Sequence, residues 1–307
     1  MITRAMGGEL AGVLVLVGLF AGMASGEEPV VPEGAEVRQL AEGFTFTEGP
    51  AKGVDGRIYF NDIPNERTHV YDPTTGTTEI FREDTGRANG LMFDVEGALF
   101  ACEGGARRVT RQMGDDITVV AEAYDGKRLN SPNDLVLDEA GGLYFTDPRY
   151  GRDRSDMEIE LESVYYVDRE GRVSLATDDV VKPNGIIFSR DFDLLYIADP
   201  GAETIWVFDV TGPGEIANKR KFAGVGSDGM TIDERGNVYC TWKGEVWIFS
   251  PEGDEVARIE CPEGPANCTF GGPDGKTLYI TARKGFYAID LNVAGGQAIA
   301  TLGVGED

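Results

Sequence analysis

Short apolar runs, each interrupted by turn residues, recur along the whole chain and predict β-strands. In the first repeat such runs occupy 57–62, 68–72 and 77–81, and the stretch Asp72–Gly76 forms a turn between two of them. The same pattern returns at 164–168, 205–209, 246–249 and 285–290. Apolar positions at helical spacing are absent over any useful length. The chain is therefore predicted to be all-β.

A longer repeat groups these strands into six units. Each unit opens with a carboxylate or an amide, continues with a small or apolar stretch, and usually passes through Asp-x-x-Gly before the next apolar strand. The opening residues are Glu48, Asn89, Asn133, Asn184, Asp228 and Asn267. They follow one another at roughly 40 to 50 residues, the repeat length of propeller blades. We predict a six-bladed β-propeller with about four strands per blade and a central channel.

The repeat also decides the domain organisation. Because a single blade cannot bury its own faces, residues 27–307 are expected to form one domain. Closure of the ring removes exposed strand edges, so Val37–Ala41 is predicted to pair with the strands that follow Asn267. The longest interval between openings contains an insertion, residues 147–163. Such a loop either covers a ligand at one end of the channel or only decorates the surface.

The N-terminus has the pattern of an export signal. Arg4 supplies a positive charge, residues 10–23 are nearly all apolar or glycine, and Ala24-Ser25-Gly26 offers small residues for cleavage. We predict that residues 1–26 are a signal peptide and that the protein is exported, to the periplasm or outside the cell. A retained N-terminal anchor is the alternative, although the apolar run is short for a membrane span.

Charge narrows the range of partners. The chain of 307 residues carries 53 acidic and 28 basic side chains, for a net charge of −25. Nucleic acids and anionic membranes are therefore excluded as expected partners, because both require basic surfaces. An acidic surface keeps an exported protein soluble and is compatible with cations. We expect a small-molecule ligand and a monomer or dimer.

The opening residues are the candidate chemistry. Innermost strands line the channel of a propeller, so equivalent positions on them face one axis. Two openings are carboxylates, Glu48 and Asp228, and four are amides, a donor set that suits Ca²⁺, Mg²⁺ or Mn²⁺. Two carboxylates without a basic partner would repel each other unless a cation joins them. The alternative is that Asn-Gly and Asp-Gly only form turns or cap backbone groups.

Other chemistries find little support. His69 is the only histidine and belongs to an outer strand, which excludes a His-rich zinc site and favours a packing role. A Gly-x-Ser-x-Gly nucleophile motif is absent. Cys261 and Cys268 are close enough in sequence to form a disulfide, whereas Cys102 and Cys240 lie in strand-like stretches where buried free thiols are expected.

Several stretches, taken together in order and spacing, resemble the regucalcin–gluconolactonase family of six-bladed propellers, particularly its bacterial gluconolactonase-like branch. They are 47–51 (TEGPA), 57–62 (RIYFND), 128–134 (RLNSPND), 144–148 (YFTDP), 182–186 (KPNGI), 197–199 (IAD) and 227–233 (SDGMTID). The resemblance implies hydrolysis of sugar lactones with a divalent metal in the channel. Ca²⁺ is expected first, with Zn²⁺, Mn²⁺ or Mg²⁺ as alternatives.

The resemblance also implies roles for particular residues. The family's metal ligands fall on Glu48, Asn184 and Asp228, with Asn133 close to both metal and substrate. Asp228 is in addition the expected general base. Arg128 and Arg149 are candidates for orienting sugar hydroxyls, or else they form surface ion pairs. Two other functions stay open: a non-catalytic propeller that binds Ca²⁺ or a partner, and a related hydrolase of aryl esters or organophosphates.

Overall fold

The computed structural model describes residues 28–150 and 153–297, together with the backbone of a two-residue strand at Val13–Leu14. Apart from that strand, the predicted signal peptide, residues 1–26, lies outside the described residues. The described part is built from β-strands, with one short 3₁₀ turn at Ile63–Asn65. None of its helical segments has the length and hydrophobicity needed to cross a membrane.

Six antiparallel sheets, numbered here as blades 1 to 6, form the molecule. Blade 1 contains Thr47–Lys52, Ile58–Asp62, Arg67–Asp72 and Thr77–Glu83. Blade 2 contains Ala88–Phe93, Leu99–Glu103, Arg108–Met113 and Asp116–Ala121. Blade 3 contains Leu135–Leu137, Leu143–Asp147, Ser163–Val167 and Val173–Thr177. A hairpin of Ala123–Tyr124 and Lys127–Arg128 lies between blades 2 and 3.

The second half of the ring repeats this plan. Blade 4 contains Ile186–Phe188, Leu194–Asp199, Thr204–Gly212 and Glu215–Ala223. Blade 5 contains Met230–Ile232, Val238–Trp242, Glu245–Phe249 and Glu255–Glu260. Blade 6 contains Pro265–Gly271, Thr277–Ala282, Gly285–Asp290 and, from the start of the chain, Glu36–Glu42. The first strand of each blade contacts the first strands of both neighbours, so these six strands surround the axis. The predicted six-bladed propeller is confirmed.

The N-terminal strand closes the ring. Glu36–Glu42 pairs antiparallel with Gly285–Asp290, with Arg38 opposite Ala288 and Gln39 opposite Tyr287. This confirms the predicted pairing of 37–41 with the strands after Asn267. Val37 is buried on the strand, which therefore contributes to the core as well as covering an edge.

The core lies between blades rather than in one central mass. Apolar side chains from adjacent blades pack into separate layers, as in the layer of blades 1 and 2 that includes Tyr59, Leu91 and Leu99. Strands with both faces buried have continuous apolar runs, as in Leu194–Asp199. For this reason apolar and polar residues alternate only weakly along several strands. Blades therefore stabilise one another, as expected for a repeat protein.

Buried aspartates explain the Asp-x-x-Gly part of the repeat. Asp94, Asp138 and Asp233 directly follow the innermost strands of three blades and are buried. Their Oδ1 atoms accept backbone N–H groups of the following hairpin, for example from Asn237 to Asp233 at 2.9 Å. Each carboxylate thereby fixes the turn that returns the chain to the second strand.

The cysteines and the histidine are structural. All four cysteines are free, and Cys102, Cys240 and Cys268 are buried. A disulfide between Cys261 and Cys268 is therefore not formed. His69 lies on the third strand of blade 1 with its ring 4.9 Å from that of Phe44 and 5.5 Å from that of Phe60. The expected packing role of His69 is confirmed.

Candidate active site at the channel mouth

Five of the six opening residues meet at one end of the channel, here called the mouth. A cavity of about 540 Å³ is lined by Glu48, Asn89, Asn133 and Asp228, and we call it the Asn133 cavity. A second cavity of about 380 Å³ is lined by Asn184 and Asp228, and we call it the Asn184 cavity. The sixth opening, Asn267, instead lines a smaller cavity of about 140 Å³ deeper in the channel.

Glycines allow these openings to lie close together. Gly90, Gly185 and Gly229 each follow an opening residue and donate a backbone hydrogen bond to the next blade, at 2.7, 2.8 and 2.8 Å. A Cβ on Gly185 would lie 2.8 Å from the Asp228 carbonyl oxygen, and one on Gly229 would lie 1.9 Å from Asn267 Cγ. None of the three has a positive φ. The Asn-Gly and Asp-Gly pairs are therefore close contacts between blades and not left-handed turns.

Carboxylates at the ends of second strands hold the loops that lead into the openings. Asp62, Asp147 and Asp199 are buried and follow their opening residues by about fourteen positions. Each accepts two consecutive backbone N–H groups, from 45 and 46, from 130 and 131, and from 181 and 182. The sequence interpretation missed these residues, although their regular spacing after Glu48, Asn133 and Asn184 is a usable signal.

Glu48 and Asp228 are charged groups in a poorly solvated place. Burial, with the Asp228 charge as the next cause, raises the pKa of Glu48 well above its usual range. Burial raises the pKa of Asp228 to about 6, against the lowering effect of a hydrogen bond from Asn184 and of the Arg283 charge. Asp228 nevertheless keeps part of its surface open to both cavities.

A third carboxylate, Asp134, was missed because it follows an opening residue. It lines the deeper cavity together with Asn267. Burial raises the pKa of Asp134 to about 7, while backbone hydrogen bonds from Leu135 and Ile186 lower it in part. A third acidic side chain therefore lies in the channel, below Glu48 and Asp228.

Asn184 connects the carboxylates to the insertion. Its Nδ2 donates to Asp228 Oδ1 at 2.5 Å and to Tyr150 Oη at 2.6 Å. Tyr150 belongs to the insertion and lines both cavities, so its side chain separates one from the other. Burial, and then the charge of Asp228, raises the pKa of this phenol. The insertion therefore shapes the mouth and is not only a surface decoration.

The two predicted arginines have different surroundings. Arg149 lines the Asn133 cavity, where its Nη2 forms an ion pair with Asp156 at 2.6 Å. Arg128 lies on the outer hairpin, exposed, with its Nη2 donating to the Ala106 carbonyl oxygen at 3.2 Å. The structure brings Arg149 to the mouth and leaves Arg128 outside both cavities.

The donors at the mouth fit a hard divalent cation. Glu48 and Asp228 supply two carboxylates, and Asn184 and Asn133 supply amide oxygens, the ligand chemistry of Ca²⁺ and related ions. A cation would favour the charged form of Glu48, whose pKa is raised by burial and then by the Asp228 charge. Within 28–150 and 153–297, no three His, Cys, Asp or Glu side chains gather as a metal cluster. Any cation at the mouth would therefore depend on the amides.

Fold and site together define a six-bladed β-propeller whose amide-lined channel mouth holds two carboxylates, Glu48 and Asp228. The chain belongs to the family described as the SMP-30/gluconolactonase/LRE-like region, whose model matches residues 40–284. It is 32% identical to the gluconolactonase of Zymomonas mobilis, over 80% of this chain and 78% of that protein. Pentonolactonase XacC of Haloferax volcanii is 28% identical and covers 85% of both chains.

Solved structures agree with the family assignment. The structure of XC5397 from Xanthomonas campestris, a gluconolactonase, superposes with a TM-score of 0.80 and 28% identity. The match covers 94% of this chain and 99% of that one. The overall fold is thus shared over almost the whole length of both chains.

Proposed function

We propose that the protein is a hydrolase of sugar lactones that depends on a divalent cation at the channel mouth. The observation that carries this proposal is the meeting of Glu48 and Asp228 with the Asn184 amide beside two cavities of about 540 and 380 Å³. Cavities of this size accept a single sugar ring. The family and the lactonases that resemble this chain support the same reaction.

Glu48, Asn184 and Asp228 would hold the cation, with Asn133 as a further ligand. Such an ion acts as a Lewis acid on the lactone carbonyl and stabilises the negative charge that develops on its oxygen. Ca²⁺ is our first candidate, because the donors are carboxylates and amides and because the only histidine, His69, packs in blade 1. Zn²⁺, Mn²⁺ and Mg²⁺ are the alternatives that metal analysis would separate.

Asp228 is the proposed general base. Its Oδ1 is occupied by the hydrogen bond from Asn184, and within the described part of the chain no hydrogen bond reaches Oδ2. Oδ2 would take a proton from the water that attacks the carbonyl carbon. Collapse of the tetrahedral intermediate breaks the ring C–O bond, and the departing alkoxide recovers that proton. The product is the open hydroxy acid.

Residues around the mouth would orient the sugar. Asn133 and Arg149 line the larger cavity, and each can donate hydrogen bonds to ring hydroxyls. Tyr150 forms the wall between the cavities and limits where the ring can lie. Arg128 has no place in this proposal because it lies on the outer hairpin.

The test combines metal analysis with a substrate panel. Native protein is assayed for bound metals and then for hydrolysis of aldonolactones, aryl esters and a phosphotriester, before and after thorough chelation. We expect lactone opening that chelation abolishes and one added cation restores. In Asp228→Asn, kcat should fall about 10²–10⁴-fold, since a general base is lost. Asp209→Asn, which changes an exposed carboxylate of blade 4, is the matched control and should leave kcat unchanged.

The outcomes separate the competing functions. Turnover that persists after chelation would contradict the metal dependence. Cation binding without hydrolysis of any compound in the panel would favour a binding propeller. Preference for the aryl ester or phosphotriester would favour the related hydrolase.

We also propose export of the protein. The support is the apolar N-terminal segment followed by Ala24-Ser25-Gly26. Fractionation and N-terminal sequencing of the mature protein test this: a chain that begins close to Glu27 in an extracytoplasmic fraction is expected, and a cytoplasmic chain that begins at Met1 would contradict it.

A further inference from the structure

Basic side chains outnumber carboxylates among the described residues that line the channel mouth, although the chain as a whole is acidic. Against a net charge of −25, the described residues that line the two mouth cavities include four basic side chains and two carboxylates, Glu48 and Asp228. The basic residues are Arg87, Arg149, Lys182 and Lys243. Because a divalent cation would balance the two carboxylates, the basic residues are left in excess at the mouth.

The two lysines share the Asn184 cavity. Lys182 comes from the loop that Asp199 holds, and its Nζ donates to the Arg149 carbonyl oxygen at 3.1 Å and lies 4.4 Å from the centre of the Tyr150 ring. The nearest carboxylate oxygen to that ammonium, on Glu162, is 4.0 Å away. Lys182 thus lines the cavity with only a long ion pair, to Glu162, to offset its charge.

Lys243 faces the same space from blade 5. Its Nζ lies 5.2 Å from the centre of the Trp242 ring, and in the part of the chain that the structure describes it forms no ion pair. Among the described residues that line this cavity, Asp228 is the single carboxylate. In the Asn133 cavity, by contrast, Arg149 is already paired with Asp156 at 2.6 Å.

We propose that the Asn184 cavity binds a second anionic group of the substrate, so that this lactonase acts on lactones with a carboxylate, sulfonate or phosphate away from the lactone carbonyl. This inference rests on the proposed function and deepens it by giving the class of substrate. The lactone carbonyl lies at Glu48, Asn184 and Asp228, and the anionic group lies between Lys182 and Lys243. Hydrogen bonds from ammonium groups to an anion are stronger than those between neutral partners.

The experiment compares two lactones that differ in one group, glucono-δ-lactone and its 6-phosphate. In the wild-type protein, kcat/KM is expected to be higher for the 6-phosphate and to fall with added salt, since screening weakens the attraction. The variant Lys182→Met/Lys243→Met should lose about 10- to 100-fold in kcat/KM for the 6-phosphate, as expected for lost charged hydrogen bonds. For the neutral lactone the same variant should change less than about threefold, and the salt dependence should disappear.

Lys52→Met is the matched control, because Lys52 lines the deeper cavity and not the mouth. It should leave both substrates unaffected. Lys243→Met alone, which changes an exposed side chain, tests the proposal should the double variant fold poorly. Normal hydrolysis of the neutral lactone with no preference for the 6-phosphate would overturn this inference alone. Failure to open either lactone, with the cation bound, would overturn the proposed function and this inference with it.

Discussion

Glu48 and Asp228 are carboxylates that the fold keeps together at a cost in stability. Burial raises the pKa of each, and for Glu48 the neighbouring charge adds to the effect. Like charges in a poorly solvated place destabilise the folded state unless a counter-ion joins them. Destabilising carboxylates of this kind are typical of functional sites. Their effect on stability should be measurable when the cation is removed.

A stability reversal follows for Glu48→Gln and Asp228→Asn. In the presence of a chelator both variants should unfold at a higher temperature than wild type, by about 2–4 °C for each kcal/mol of repulsion removed. In excess Ca²⁺ the wild type should instead unfold at the higher temperature. Ca²⁺ at a hundred times its Kd adds about 2.7 kcal/mol to the free energy of unfolding of the wild type alone. Thermal unfolding followed by circular dichroism measures both. Variants that are less stable in chelator as well would show that the carboxylates do not repel.

Gly49 shows how closely backbones approach at the mouth. It has φ of 53°, and a Cβ there would lie 1.8 Å from the carbonyl oxygen of Asn89. We expect Gly49→Ala to lower the free energy of unfolding for two reasons. The left-handed backbone conformation costs an alanine about 1–2 kcal/mol, and overpacking against Asn89 costs about 1–3 kcal/mol more.

Gly76→Ala separates the two causes. Gly76 lies in a turn of the same blade with φ of 71° and has open space around it. Gly76→Ala should therefore lower the free energy of unfolding only by the cost of the left-handed conformation, which denaturant unfolding measures. Equal losses at both positions would mean that the contact between Gly49 and Asn89 relaxes without cost.

At the scale of elements, the second strand of a blade fixes the loop before the first. Asp199 ends the second strand of blade 4 and accepts the N–H groups of Val181 and Lys182, both at 2.9 Å. It also accepts the indole N–H of Trp206 at 3.1 Å. The loop leads directly to Asn184, so a buried carboxylate that never faces the cavity determines where a mouth residue lies.

Asp199→Ala tests this indirect control. Each partly buried N–H that loses its acceptor should lower the free energy of unfolding by up to about 1–3 kcal/mol. Cation affinity should fall as well, because Asn184 is no longer held in place; titration calorimetry measures it. Asp209→Ala, an exposed position on the next strand, should change stability by less than about 0.5 kcal/mol and leave cation affinity as it is. Unchanged affinity in Asp199→Ala would contradict a positioning role.

The sequence predicted the elements better than their contacts. The opening residues, the strands of each blade and the closing strand were all predicted from the repeated pattern of residue types. Tyr150 was missed because nothing in the insertion's own pattern shows that its first residues fold over Asn184. Arg128 resembled a site residue by its motif, yet the hairpin turns its side chain toward Ala106. Loop direction depends on packing against distant strands, which a local pattern does not contain.

For the whole molecule, stability depends on closure of the ring by the N-terminal strand. Glu36–Glu42 covers the edge of Gly285–Asp290, and Val30, Val31 and Val37 are buried with it. Without this segment blade 6 would expose a strand edge and an apolar surface.

Removal of residues 28–42 should therefore lower the unfolding temperature and promote aggregation through the freed edge. Scanning calorimetry and light scattering measure the two effects. The control is Arg38→Ala on the same strand, where an exposed ion pair with Asp290 contributes at most about 1 kcal/mol. A truncated protein with an unchanged unfolding temperature would show that five complete blades and a three-stranded sixth are sufficient.

The sequence by itself determined the six-fold repeat, the all-β fold and the residue types at the six openings, because these depend on local periodicity and on side-chain chemistry. The tertiary structure decided how the openings differ. It brings Glu48, Asn184 and Asp228 to the mouth and leaves Asn267 deeper in the channel. It also adds Tyr150 from the insertion within blade 3 and Lys182 from the loop between blades 3 and 4. Those differences arise from glycine contacts and buried carboxylates that join residues far apart in the chain, so they exist only in the folded ring.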